Sequence, residues 1–187
     1  MNISVVCDIL GHRLALDIES ARLKAETDRS EMLQELRERA RKLDSQSRVI
    51  SLLLGRVRDL MQLDQASLSI IRTDLGRMTR YTSGAAGSIL TEKGLPIPQG
   101  ISRQLVAGLL DPVTKISEMS QFGLSDQMRS GVAIWCRQSD RTAVLLLLAS
   151  TQTGDLIAAG DSNLAYLANI TVDLLTDLKA RRARKRQ

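Results

Sequence analysis

Aromatic residues are almost missing from this chain: Tyr81, Phe122, Trp135 and Tyr166 make up 2% of its 187 residues. Sandwiches and barrels draw much of their buried area from aromatic rings. Leu, Ile, Val and Ala must supply the core here, which suits seams between helices better. Cysteine is nearly as scarce. Cys7 and Cys136 show no CxxC or metal-ligand spacing, which argues against a disulfide scaffold and fits two free thiols in a reducing compartment. His12 is the single histidine and stands in no motif with a nucleophile. The longest unbroken apolar run, Ala143 to Ala149, is far too short to span a bilayer. Met1 and Asn2 bring no cation, and Asp8 interrupts the apolar stretch from Ile3 to Leu10. No signal peptide is therefore expected, and synthesis in the cytoplasm is.

Proline is absent from Arg13 to Tyr81, and the only glycines there are Gly55 and Gly76. Leu36, Leu43, Ile50, Val57, Ile71 and Met78 recur at sevens, with a gap at Asp64. Ala40, Leu54, Met61, Leu68 and Leu75 form a second set four residues on. This is the a/d repeat of helices that pack along a seam. Its strongest part, Ile50, Leu54, Val57, Met61, Leu68, Ile71, Leu75 and Met78, is the expected oligomer seam. From Leu14 the apolar positions run Ile18, Ala21, Ala25 and Met32, and a four-residue stutter follows before Leu36. Between Thr27 and Ser47 the stripe thins, so a turn around Asp44 to Ser47 competes with one continuous helix. Asp64, and Asn163 near the other end, are polar residues on apolar stripes, of the kind that fix register.

The segment from Thr82 to Gly100 differs in kind. Gly84, Gly87, Gly94, Pro96, Pro98 and Gly100 interrupt any helix, and the prolines force extended backbone around Ile97. It reads as a linker. Beyond it, Ile101 to Leu110 forms a helix, and Asp111 caps another with Pro112 at its first position. Met128, Val132, Trp135, Cys136, Ala143, Leu146 and Leu147 fit one helical face. A β-hairpin of Val132 to Cys136 and Thr142 to Leu148 around Gln138 to Arg141 is the rival, disfavoured by low β-branched content. A last helix carries Leu156, Asn163, Leu167, Ile170, Leu174 and Leu178 along one side. The expected organisation is a coiled-coil region over 1–81, a linker over 82–100, a helical bundle over 101–178 and a basic tail over 179–187. The expected fold class is all-α.

The net charge of +5 belongs to that tail. Lys179, Arg181, Arg182, Arg184, Lys185 and Arg186 are six of the 26 cations; the other 20 face 21 carboxylates. Such a cluster binds phosphates by counterion release. Without aromatic stacking residues, contact with DNA would be electrostatic and blind to sequence. An acidic protein or an anionic lipid surface is a further candidate partner. No catalytic constellation appears. The glycine-rich Ser83 to Ser88 lacks the GK[ST] ending of a phosphate loop, and Asp17 with Glu19, or Asp126 with Asp140, has no partner for acid–base work. The chain reads as non-enzymatic, without cofactor or metal.

The run Thr153-Gly154-Asp155-Leu156-Ile157-Ala158, followed by Asn163-Leu164-Ala165, resembles the closing helix of the TrbJ-type minor pilins of conjugative type IV secretion systems. The resemblance covers about 30 residues. It implies a largely helical, non-enzymatic subunit with a long helical-hairpin body in a pilus-tip assembly. A helical virion protein packed near phage DNA accounts for the same features without export. The expected function is a structural subunit of a large homo-oligomeric, DNA-delivering assembly. A cytoplasmic coiled-coil adaptor that binds nucleic acid through its tail is the alternative.

Overall fold

A computed structural model describes residues 3–83, 88–106, 113–139, 141–153 and 161–184, some of them, Cys7 and Cys136 included, by backbone alone. The chain divides into two compact units, residues 1–39 and 40–187. The first is most of helix α1, Ile3–Arg41. The second contains α2, Gln46–Met61, and strands β1, Gln65–Arg72, β2, Arg77–Ser83, and β3, Ile89–Pro96. Helix α3, Gln99–Val106, and the short β4, Val113–Lys115, follow. A 3-10 helix, Met119–Phe122, precedes β5, Ser130–Ser139, and β6, Thr142–Ser150; α4, Asp161–Arg184, closes the fold. The six strands form one sheet in the order β3-β2-β1-β6-β5-β4, antiparallel throughout.

The all-α expectation is overturned at three places. Helix α2 stops where Gln62 turns left-handed at φ 50, and Leu63 and Asp64 lead into β1 instead of a further helical turn. The eight expected seam residues therefore lie on different elements. Ile50, Leu54 and Val57 are buried on α2, and Met61 is half-buried at its end. Leu68 and Ile71 are buried on β1 and Met78 on β2, while Leu75 stands exposed in the turn between those strands. Leu68 and Ile71 are three residues apart, so in a strand they point to opposite faces. They cannot share a seam. The second place is 131–149, where a helix was favoured and β5 and β6 form the hairpin. Both are central and covered on both faces, so they show neither period 2 nor period 3.6; continuous apolar runs of this kind cannot be told from buried helix by periodicity. The third is the expected linker 82–100, which contains β3 at the sheet edge. Gly94, at φ 70, sits in its bulge, between the Met78–Leu95 and Arg80–Glu92 pairs.

The break that competed with a continuous helix exists: residues 42–45 separate α1 from α2. One face of the sheet is covered by α2 and α4. Val49, Ile50, Leu53, Leu54 and Val57 of α2 are buried, as are Leu167, Ile170, Leu174, Leu175 and Leu178 of α4. Those spacings of three and four put each set on a single helical stripe. The other face is covered by α3 and the 3-10 helix. There Ile101, Ile116, Phe122 and Leu124 pack on Ile71, Met78, Ala133, Trp135, Ala143, Leu145 and Leu147 of the strands. Each fully buried Leu of β6 contributes about 1.5–3 kcal/mol of burial.

Two glycines let the second layer close. A Cβ on Gly100 would come within 2.9 Å of the Gln121 carbonyl, and one on Gly131 within 2.9 Å of the Met119 sulfur. Among the described residues, no helix is long and apolar enough to cross a membrane.

Candidate functional site

The pairing register decides which side chains share the face under α3. Leu145 and Leu147 of β6, both in that core, stand opposite Ser69 and Ser67 of β1. Directly opposed residues of an antiparallel pair point the same way. Ser67 and Ser69 therefore face α3, and so do their partners across the next ladder, Thr82 and Arg80 of β2. Glu92 of β3 stands opposite Arg80 in turn.

Ser67 and Ser69 are both 0% exposed and Arg80 is 8% exposed. Arg80 Nη1 donates to the Gly123 carbonyl at 2.9 Å, and Nη2 donates to the Phe122 carbonyl at 2.9 Å. These contacts hold β2 to the end of the 3-10 helix, where Gly123 is left-handed at φ 69. Among the described residues Ser67 Oγ, Ser69 Oγ and Arg80 Nε find no hydrogen-bond partner. A buried polar atom left unbonded costs about 1–3 kcal/mol. Among the described residues a fourth such atom is Arg181 Nε, on α4 and away from this face.

Arg80 makes no ion pair with any described residue. Burial holds its guanidinium below the usual arginine range, and the charge of Glu92 offsets part of that shift. A charge so placed, hydrogen-bonded only to neutral carbonyls, is a locus of unmet electrostatic demand. Close by, Trp135 Nε1 donates to Gln104 Oε1 at 2.9 Å and so ties α3 to the sheet. No group of three His, Cys, Asp or Glu side chains among the described residues is placed to hold a metal.

The basic tail takes a different form from the one expected. Lys179, Arg181, Arg182 and Arg184 are the last turns of α4, not an extension beyond it; Lys185 and Arg186 lie outside the described residues. Arg181 Nη1 donates to the Arg41 carbonyl. Arg182 donates to the Asp44 carbonyl through Nε at 3.2 Å and Nη2 at 3.1 Å. Arg41 also approaches Asp177 at 3.7 Å. Two of the six cations are thus occupied in tying α4 to residues 41–44.

Asp64 does not fix a helical seam. Its Oδ2 accepts hydrogen bonds from Ser150 Oγ at 3.0 Å, Thr151 N at 2.7 Å and Thr151 Oγ1 at 2.8 Å, clamping the start of β1 to the end of β6. These bonds, led by the backbone one, hold its carboxyl below the usual aspartate range. Asn163 lies on α4, and its side chain is outside the described residues; so are residues 154–160, on which most of the pilin resemblance rests.

Ser67, Ser69 and Arg80 were not singled out in the sequence. The signal available was the alternation Ser67-Leu68-Ser69-Ile70, which places two small polar residues on one strand face. It was read instead as part of a heptad.

No protein-family model matches the chain, and no curated protein does. Solved structures share its fold. The GAF domain of an Acinetobacter phosphoenolpyruvate-protein phosphotransferase superposes with a TM-score of 0.63 at 15% identity, over 83% of this chain and 95% of that one. The free methionine-R-sulfoxide reductase of Neisseria meningitidis, solved with its substrate, gives 0.61 at 12% identity, over 82% and 91%. A segment of a methyl-accepting chemotaxis protein gives 0.56 at 13% identity, over 79% and 97%. The fold is therefore that of GAF domains. A GAF-type sheet replaces the helical pilin or virion subunit that the sequence led us to expect, and that functional reading is withdrawn with it.

Proposed function

We propose that this chain is a sensor module that binds a small molecule between its sheet and α3 and does not turn it over. The observation that carries the reading is the grouping of Ser67 Oγ, Ser69 Oγ and Arg80 Nε, buried and unbonded, on one face of the sheet. Buried polar groups are normally satisfied, and three neighbouring exceptions mark the place where a polar ligand would supply the missing bonds. Neither serine has a described base within hydrogen-bonding reach, which supports binding without turnover. Two of the similar structures support the reading by analogy of fold: one belongs to a methyl-accepting chemotaxis protein and another was solved with its substrate bound.

A metabolite library tested by thermal shift on the full chain examines this. A ligand at 100 times its Kd stabilises the folded state by about 2.7 kcal/mol. At least one compound is expected to raise the midpoint by several degrees and to alter the fluorescence of Trp135, the only tryptophan. A library without effect on either signal overturns the proposal.

The assembly reading rests on a separate observation. Leu14 and Ile18 are 63% and 62% exposed on α1, and with Ala21 they follow the four- and three-residue spacing of a coiled-coil seam. We propose that α1 pairs with a second copy of itself to form a homo-oligomer. Light scattering after chromatography should give a multimer that Leu14→Lys with Ile18→Lys converts to a monomer. A wild-type monomer at every concentration rejects it.

A further inference from the structure

We propose that the ligand taken by the face under α3 is a small organic acid, its carboxylate held by Arg80 and Ser69 and a second polar group held by Ser67. The inference rests on the ligand-binding reading above and names the chemistry of that site.

The first argument is the balance of donors and acceptors. A guanidinium can only donate, and a serine hydroxyl can do either. Arg80 already gives Nη1 and Nη2 to the carbonyls of Gly123 and Phe122, yet Nε still lacks an acceptor. Ser67 and Ser69 add two hydroxyls, and no described acceptor meets either. The deficit on this face is of acceptors, and a ligand rich in acceptor oxygen makes it good. The second argument is charge. Arg80 is buried and has no ion pair among the described residues. A guanidinium binds a carboxylate more strongly than a neutral oxygen, and the advantage grows as water is excluded. A negative ligand group is therefore favoured over a neutral one.

Size follows from the strand geometry. Ser69 lies directly across from Arg80, and such Cα pairs are about 5 Å apart, so one carboxylate can reach both. Ser67 is two residues along the same strand, about 7 Å away, opposite Thr82. A second hydroxyl or carboxyl a few bonds from the first reaches it. Around these groups Ile71, Met78, Trp135, Leu145 and Leu147 are apolar and buried, which limits the ligand to a compact acid and disfavours a nucleotide or a larger ring system. Both serines are fully covered in this structure, so entry requires the layer that closes this face, of which α3 is part, to move. Trp135 holds α3 through Gln104, and its fluorescence reports that movement directly.

The test titrates malate, succinate, lactate, inorganic phosphate and the neutral succinamide into the full chain, following Trp135 fluorescence and the thermal midpoint. The expected result is saturable binding of at least one of the three acids and none of succinamide. Affinity should fall about tenfold or more in Arg80→Met and about fivefold in Ser67→Ala with Ser69→Ala, the loss expected for removing one charged or neutral hydrogen-bonding partner. The serine variant carries the conclusion if Arg80→Met fails to fold. Binding that persists unchanged in the serine variant, or binding of phosphate in place of the acids, overturns the assignment. If neutral library compounds move both signals while no acid does, ligand binding stands and the acid falls. If nothing moves either signal, both readings fall together.

Discussion

On the face of the sheet that α2 and α4 cover, the buried serine and threonine hydroxyls have partners. Ser83 Oγ donates to the Ala66 carbonyl and accepts from the Ala66 amide, and Thr171 Oγ1 donates to the Leu167 carbonyl. On the opposite face, under α3, Ser67, Ser69 and Arg80 are buried as deeply and left partly unbonded. Ser83 and the unbonded three all come from β1 and β2, which send alternate residues to the two faces. One face is finished by its own helices. The other holds hydrogen-bonding capacity in reserve, at a cost in stability, as functional sites commonly do.

The sharpest way to test this contrast is to remove matching weight from each face. Leu148→Ala, a fully buried residue of β6 opposite Ala66 and Val132, should cost about 2–5 kcal/mol by urea unfolding, the usual range for such truncations in a sealed core. A loss below about 1 kcal/mol would mean the helical face is looser than its burial indicates.

Next in size is Gly123→Ala. The new Cβ would meet Arg80 Nη1 at 2.8 Å from a left-handed backbone, and left-handed geometry alone costs about 1–2 kcal/mol. It should also weaken any ligand that depends on Arg80, since it pushes the guanidinium. An alanine with wild-type stability would show that the 3-10 turn and Arg80 are not coupled.

Ser67→Ala with Ser69→Ala should do the reverse. Removing two unbonded buried hydroxyls is expected to raise stability by about 1–2 kcal/mol in the absence of ligand. Destabilisation by a similar amount would indicate that the hydroxyls already have partners and would erase the difference between the faces.

The smallest effect lies at the sheet end. Asp64 has a folded pKa below its unfolded value, so its contribution is present above about pH 4. That contribution is lost as pH falls through the lowered folded value, because the unfolded state then binds the proton more readily. Asp64→Asn should flatten that part of the stability profile below about pH 4. An unchanged profile would place the acid sensitivity elsewhere.

Some of the architecture was readable from residues alone. The stripes of Ile50, Leu54 and Val57, and of Leu167, Ile170, Leu174 and Leu178, are helical faces that the structure buries. The thinning before Ser47 coincides with the break between α1 and α2. The strands were misread because their pattern is ambiguous in one dimension. Leu68, Ile71, Leu75 and Met78 satisfy heptad spacing and also populate a hairpin whose turn is Arg72 to Arg77. The run from Ala143 to Ala149 is apolar throughout, since neighbours cover both sides of β6. The basic end was visible as charge, but its use by Arg181 and Arg182 on the carbonyls of residues 41 and 44 was not.

The sequence by itself determined the aliphatic character of the core and the helical stripes of α2 and α4. These follow from local spacing and composition, which pairing does not alter. Only the tertiary structure decided that Ser67, Ser69 and Arg80 share one buried face. Arg80 is 11 residues from Ser69, and antiparallel pairing brings the two opposite each other. Among the described residues it also left their donors short of acceptors, because α3 and the 3-10 helix carry Ile101 and Phe122 to that face and the bonds Arg80 makes there go to the carbonyls of Phe122 and Gly123.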